Sequence, residues 1–416
     1  MQILLLTQII PYPPNAGPRM KTWHVLRYLV SRGHQVTLVS FVRPEEVQHL
    51  PVLADLCQAV HTVPIKRSRL ADVVYLLRSQ VSKRPFLIER DDLKEMQQLV
   101  ARLVQSQPFD VVHADQLTMT QFALQAQILA DERGVKRPFT IFDAHNATWT
   151  ITRRMIDNVP WLLKPLLYLE TERIKRYEAR LIAELDHTMV VIDEDQDALL
   201  AGVTQAQADS LRQRITTIPI AVDTAQLRPV PRQPDALNIM TLGTLSYPPN
   251  ADGIRWFLNE VFPLIQQQMP DVTLTIVGKD PPRDFSQAAA AQPDTIHVTG
   301  FVPDLNPYMA AAAVLVVPVR AGSGMRVRLL EAFARAMPTV TTTIGLEGIT
   351  AEHNRHVLIA DDPAHFAEQT VRLLRDKGLQ KRLGENGRLL AEQTYDWQIA
   401  LQKMDAVFQL ADPAST

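Results

Sequence analysis

The stretch Val314-Leu315-Val316-Val317-Pro318-Val319-Arg320-Ala321-Gly322-Ser323-Gly324-Met325-Arg326-Val327-Arg328-Leu329-Leu330-Glu331 reads as a short strand, a glycine-rich turn and the start of an apolar helix. The two glycines let the backbone approach an anion closely, and the helix behind them offers unpaired amides and the positive end of its dipole. Arg326 and Arg328 add guanidinium groups that keep their charge and suit phosphate oxygens, so the segment fits a diphosphate. Glu331 lies among Leu329, Leu330, Phe333 and Met337, which read as core, so its carboxylate needs a partner. A ribose diol would serve, and so would Arg328 three residues earlier on the same helix.

The same alternation surrounds this segment. Leu237 to Leu242 reads as a strand, Gly243 opens a loop, a helix carries Ile254, Phe257, Leu258 and Phe262, and Val272 to Val277 is a strand closed by Gly278. Near the start, the strand Ile3 to Thr7 leads through Pro11-Tyr12-Pro13-Pro14-Asn15-Ala16-Gly17 into a helix with Trp23, Leu26, Leu29 and Val30 on one face. Gly33 stops that helix and Gln35 to Phe41 forms the next strand, a strand-helix-strand unit with parallel pairing. Asp110 to His113, Thr140 to Asp143 and Thr188 to Ile192 are apolar on both faces, as buried parallel strands must be, and Thr216 to Ile220 is strand-like. Prolines at 229, 231 and 234 deny regular structure to Leu227 through Asp235, and the interdomain linker is expected there.

These readings give an α/β chain with an N-terminal domain over 1–223, a linker over 224–236, a second domain over 237–395 and a C-terminal helix over 396–416 that packs back on the first domain. A length of 416 residues suits two cores of about 200 residues each. In both halves the first loop, Tyr12 to Gly17 and its echo Tyr247-Pro248-Pro249-Asn250-Ala251-Asp252-Gly253, leaves the carboxyl end of the first strand, where open α/β sheets bind ligands.

A formal net charge of −2 gives no electrostatic reason to expect a nucleic-acid partner. The single cysteine, Cys57, cannot form an internal disulfide, and no Cys/His cluster has zinc spacing, which points to the cytoplasm. The acids Asp193, Glu194 and Asp195 sit at a helix start, where carboxylates favour the dipole without a metal. No run approaches the roughly 20 apolar residues of a membrane span, so membrane contact is expected to be peripheral, at the inner face. Leu162 to Leu185 carries Lys164, Arg173, Lys175, Arg176 and Arg180 around Leu166, Leu167, Leu169 and Ile174, diluted by Glu170, Glu172 and Glu178. It reads either as a surface for an anionic membrane or as an ordinary amphipathic domain helix.

The span Val319 to Glu347 resembles the donor-site signature of family-4 glycosyltransferases, the retaining group 1 enzymes of GT-B fold. That signature has a Gly-rich loop, two basic residues and a Glu-Ala helix, then Pro, a strand and a Gly-x-Glu-Gly turn, here Gly345-Leu346-Glu347-Gly348. Gly17 with Arg19, Gly33-His34, Asp143-Ala144-His145-Asn146, Gly243 with Asn250, Val277-Gly278 and Gly300-Phe301-Val302 extend the resemblance along nearly the whole chain, in order.

The resemblance implies two Rossmann-like doubly wound domains facing a central cleft, with the acceptor on the first and a nucleoside diphosphate sugar on the second. It implies hexosyl transfer with retention, no cofactor beyond the sugar nucleotide as co-substrate, and no essential metal. The acceptor would be a polysaccharide, a lipid-linked saccharide or a small glycoside. His145 resembles the histidine placed beside the transferred sugar, although a lone histidine is more often structural, and His113 is a weaker candidate. Arg326, Arg328 and Glu331 take the catalytic donor-side roles, and Gly17, Gly243, Thr244, Asn250, Val302, Arg320, Gly322, Ser323, Gly324 and Met325 the remaining donor contacts.

Two departures bear on these roles. Many members carry a glutamate where this chain has Ser323, and many carry basic residues after Gly243, where this chain reads Thr244-Leu245-Ser246-Tyr247. The phosphate charge then falls on Arg326 and Arg328, with Arg320 a helper. Two rival readings stay open: a sugar-nucleotide epimerase or hydrolase on the same fold, and a non-catalytic sugar-nucleotide binding protein.

Overall fold

Short runs rich in β-branched residues become parallel strands where both of their faces can be covered by helices. The computed structural model describes residues 1–15, 17–156, 159–233, 235–322 and 324–411. The chain divides into two compact units, one of Met1–Ile220 with the segment from Ala400, the other of Ala221–Ile399.

Among the described residues the first unit holds seven parallel strands: β1 (Gln2–Thr7), β2 (Gln35–Val42), β3 (Ala59–Pro64), β4 (Val111–Asp115), β5 (Phe139–Ala144), β6 (His187–Val190) and β7 (Ile215–Thr217), in the order β3-β2-β1-β4-β5-β6-β7. The second holds six: β8 (Asn238–Leu242), β9 (Thr273–Val277), β10 (Ile296–Gly300), β11 (Ala312–Val317), β12 (Thr339–Thr341) and β13 (Leu358–Ile359), in the order β10-β9-β8-β11-β12-β13. Both sheets reverse strand order beside their first strand, between β1 and β4 and between β8 and β11. This doubly wound α/β architecture, two Rossmann-like units in one chain, is the GT-B fold class expected from the sequence. The crevice at such a reversal is where the sheet's carboxyl edge accepts ligands.

The strands that the sequence reading passed over, β3, β10 and β13, all lie at sheet edges. An edge strand has less apolar surface to bury, and β3 shows it: Ala59 to Thr62 are only half-buried. The strand expected over Thr216 to Ile220 is shorter and earlier, Ile215–Thr217, and β6 stops at Val190 because Ile192 already caps the next helix.

The helices used below are α1 (Gly17–Ser31), α2 (Arg69–Ser82), α3 (Thr148–Met155), α4 (Lys164–Glu184), α5 (Asp193–Leu200), α6 (Pro248–Trp256), α7 (Val327–Ala334) and α8 (Lys403–Gln409). The echoed proline loops part company here. Tyr12 to Asn15 stay outside α1, whereas Pro248 and Pro249 form the first turn of α6, where a missing amide hydrogen costs nothing. α8 belongs to the first unit: Tyr28 Oη donates to Asp405 Oδ1 at 3.0 Å, and Phe408 stacks on the rings of His34 and His113.

Each unit has its own core. Leu4, Leu6, Val39, Phe41, Val112 and Phe142 lie at the centre of the first, and Ile239, Leu274, Ile276, Val314, Val316 and Phe366 at the centre of the second. The residues after Asp223 are pinned to the second unit: Thr224 Oγ1 donates to Asp396 Oδ2 at 2.6 Å, and Arg232 Nη1 to the Ala336 carbonyl at 2.7 Å. No helix of the described residues is long and apolar enough to cross a membrane.

Candidate functional site

In the second unit the loops after β8 and β11 leave the two strands that flank the order reversal, so topology alone brings the Gly243 loop beside Pro318 to Arg326. Threonine hydroxyls fasten this edge. Thr341 Oγ1 donates to the Val317 carbonyl at 2.8 Å, and Thr342 Oγ1 donates to the Val319 carbonyl. Gly322 and Gly324 have φ of +116° and +82°, backbone that residues with a Cβ avoid, so the turn there depends on glycine. α7 then starts at Val327 with no side chain capping its first amides.

Two guanidinium groups meet at this turn. Arg326 Nη1 donates to the Gly324 carbonyl at 2.8 Å, and Nη2 lies 3.7 Å from Glu347 Oε2. A Cβ on Gly322 would sit 3.3 Å from the Arg326 guanidinium, so the glycine leaves room for it. Arg328 turns to the other loop, where Nη1 donates to the Leu242 carbonyl at 3.0 Å, and a Cβ on Gly243 would lie 2.7 Å from that nitrogen. Asn250 closes the same spot, its Nδ2 donating to the Thr244 carbonyl at 3.0 Å. The Arg328 Nε is buried without a hydrogen-bond partner among the described residues. Burial and the neighbouring Arg326 charge push the Arg328 guanidinium down to about 10. A cation destabilised in this way favours an incoming anion.

Other expected residues are placed differently. Glu331 makes no ion pair with Arg328; its nearest cation is Arg335, one turn on, with 4.0 Å between Nη1 and Oε2. The reason is that Arg328 points away to Leu242. Burial raises the Glu331 carboxyl, and Arg335 only partly offsets this. Arg320 is half exposed, with Nη1 3.8 Å from Asp252 Oδ2 and its guanidinium over the Trp256 ring. Met325 is buried, Thr244 is exposed, and Val302 follows the edge strand β10. Ser323 lies outside the described residues. In the sequence Glu347 is only part of a turn, and its position beside Arg326 depends on the fold.

The first unit assembles a second cluster at its own strand reversal. Strand register sets Asp115 of β4 beside Asp143 of β5, the two-residue repeat puts His113 on the same face, and His145 follows the end of β5. α1, entered at Gly17 after β1, drops Lys21 and Thr22 onto them. The buried Lys21 ammonium pairs with Asp143 Oδ1, and Thr22 Oγ1 donates to Asp115 Oδ1 at 3.0 Å. His145 Nε2 lies 2.8 Å from Asp115 Oδ1, and His113 Nε2 lies 3.2 Å from Asp143 Oδ2.

Burial alone would raise the Asp143 carboxyl, but the Lys21 ammonium and the two histidines outweigh it and hold it below the usual carboxylate range. Asp115, Asp143 and His145 have ligand atoms within 4.8 Å of one another, the only such group among the described residues. The Lys21 ammonium already supplies Asp143 with positive charge. Sequence reasoning found His145 and missed Lys21, Thr22 and Asp115, which have no motif of their own. The acids Asp193 to Asp195 occupy the first turn of α5, as expected, and Asp195 Oδ1 accepts the Ala147 amide at 2.9 Å.

Residues 236–376 match the family described as Glycosyl transferases group 1. This span is about a third of the chain and contains both the Gly243 loop and the Gly322 turn. Over 407 residues the chain is 21% identical to an uncharacterized 44.6 kDa protein in the cps region of Klebsiella pneumoniae, covering 95% of this chain and 96% of that one. Among solved structures, Anabaena Alr3699/HepE in complex with UDP superposes with a TM-score of 0.67 at 14% identity, covering 99% of this chain and 100% of that one. Sucrose-phosphate synthase from Thermosynechococcus elongatus gives a TM-score of 0.69 at 18% identity, covering 99% of each.

Proposed function

We propose that this chain is a glycosyltransferase that takes a sugar from a nucleoside diphosphate sugar bound at the carboxyl edge of its second sheet. One observation carries the reading: Arg328, partly buried at the sheet's strand reversal, has no carboxylate partner among the described residues and lies beside the second guanidinium of Arg326. The group 1 glycosyltransferase match over residues 236–376 and the UDP complex of HepE support it.

In the proposed reaction the sugar–phosphate bond breaks and negative charge builds on the distal phosphate. Arg326, Arg328 and the amides around Gly322 to Met325 stabilise that charge, an electrostatic effect strongest where water is excluded. Glu331, whose carboxyl has only a distant cation, takes the ribose hydroxyls, and Val302 borders the base. The first unit takes the acceptor, with His145, oriented by Asp115, acting on the sugar. Transfer proceeds with retention, the leaving phosphate accepting the acceptor's proton, and needs neither metal nor cofactor. The acceptor is a saccharide, free or lipid-linked.

The test is calorimetric titration with UDP-, GDP- and ADP-sugars of wild type and the Arg326→Ala and Arg328→Ala variants, followed by turnover with and without acceptor extracts. Binding of one nucleotide class, lost in both variants, is expected. Binding of none sinks the donor-site assignment, and donor consumption without acceptor favours an epimerase or hydrolase.

A further inference from the structure

Half of the large hydrophobic side chains exposed among the described residues, eleven of twenty-two, fall in two short segments of the first unit. On α2 the exposed residues are Leu70, Val73, Val74, Leu77 and Val81, with Leu70 83% and Val81 86% accessible. Their spacing of three and four residues draws one apolar stripe along the helix. The stripe faces outward: the one fully buried residue of α2 is Ser79. The second segment, Trp161 through Leu169 at the start of α4, exposes Trp161, Leu162, Leu163, Leu166, Tyr168 and Leu169. Scattered exposed apolar residues are ordinary, but two adjoining stripes of them mark a surface that something covers.

The two helices meet. Arg173 Nη2 on α4 donates to Gln80 Oε1 at the end of α2 at 3.1 Å. Around that contact lies a cavity of about 550 Å³ lined by Lys83 and Arg84 from one side and by Leu169, Arg173, Arg176 and Arg180 from the other. Three of the five cations have carboxylates: Arg84 pairs with Asp92 at 2.7 Å, Arg180 with Glu184 at 2.6 Å, and Arg173 lies 4.0 Å from Glu170. Lys83 and Arg176 have none among the described residues. In a chain whose net charge is −2 this basic rim is a local excess, placed where the two apolar stripes converge.

We infer that the face formed by α2 and the Trp161–Leu169 segment docks peripherally on an anionic phospholipid bilayer. The apolar stripes enter the acyl boundary, Trp161 and Tyr168 sit at headgroup level, and the exposed Lys83 and Arg176 meet lipid phosphates. Charge complementarity selects this occupant over an uncharged apolar partner. The sequence of Leu162 to Leu185 allows either a membrane surface or an ordinary domain helix; the outward apolar stripe of α2 is the new element.

The experiment is co-sedimentation of the full chain with phosphatidylglycerol-containing vesicles and with pure phosphatidylcholine vesicles, at low and high salt, with light scattering of the free protein. Wild type is expected to sediment with the anionic vesicles only, and less at high salt. The variants Leu77→Glu/Val81→Glu and Lys83→Glu/Arg176→Glu are each expected to lower the bound fraction at least about tenfold, while their thermal unfolding stays at the wild-type temperature. Because the residues are exposed, both variants fold if the inference is right. Equal binding to neutral vesicles, no binding by wild type, or a wild-type dimer that the Leu77→Glu/Val81→Glu change splits into monomers with vesicle binding unaltered overturns it.

Discussion

The Arg328 guanidinium reaches from α7 to the end of β8 and donates from Nη1 to the Leu242 carbonyl at 3.0 Å. The Gly243 loop has no cation of its own, and Arg328, 86 residues after Leu242, supplies one. The contact also leaves Glu331 without its helix neighbour, so that one side chain's direction settles the surroundings of two site residues.

Stability and binding should move in opposite directions when this cation is removed. Arg328→Met takes away a partly buried charge that no carboxylate balances, so unfolding without nucleotide is expected to change by less than about 1 kcal/mol or to become harder. Affinity for UDP, or whichever nucleotide wild type prefers, should fall at least about tenfold, the loss of one charge-assisted contact. Chemical denaturation and calorimetry measure the two. A large loss of stability with binding intact would make Arg328 a structural residue.

Gly253 of α6 faces the chain just after β11, and a Cβ there would lie 1.8 Å from the Pro318 carbonyl oxygen. Backbone cannot step aside as a flexible side chain can. Gly253→Ala is therefore expected to cost more than about 3 kcal/mol or to abolish folding of the second unit, although alanine normally favours a helix. Urea unfolding of the purified variant checks this, and a stability equal to wild type contradicts the close approach.

In the first unit, Lys21→Met leaves the buried Asp143 without its ammonium. The expected loss is about 3 kcal/mol or more, and the double change Lys21→Met/Asp143→Asn should recover most of it. Additive losses in the double-mutant cycle would show that the pair is not coupled.

His145 and Asp115 make a separate, functional prediction. Asp115→Asn keeps the shape of the site but weakens the partner that orients His145, so turnover should fall by about 10-fold or more with nucleotide affinity unchanged. His145→Ala should match it, and the double variant should be no worse than either single one. Losses that multiply instead would mean that the two residues act independently.

Glu178 of α4 accepts the Thr148 and Trp149 amides at 2.7 and 3.2 Å, at the start of α3. Burial pushes its carboxyl up to about 7 against those hydrogen bonds, with Asp195 adding to the rise. The folded chain thus holds this proton more tightly than the unfolded one. Stability should grow as pH falls from about 7 towards 5, by about 2 kcal/mol, and the Glu178→Gln variant should lose that slope. Urea midpoints across this pH range, compared between the two proteins, decide it.

The sequence by itself determined the two doubly wound units, because buried parallel strands leave continuous apolar runs and turns leave glycine and proline. It also determined the glycine turn at Gly322 and Gly324 and the cations behind it, whose chemistry is local. Edge strands such as β3 escaped because they bury too little to leave a pattern. Only the tertiary structure decided that Lys21 pairs with Asp143, that Asp115 holds His145, and that Arg328 serves the Gly243 loop and not Glu331. Those contacts depend on strand order and on the direction of single side chains, and neither is written in the spacing of residues along a chain.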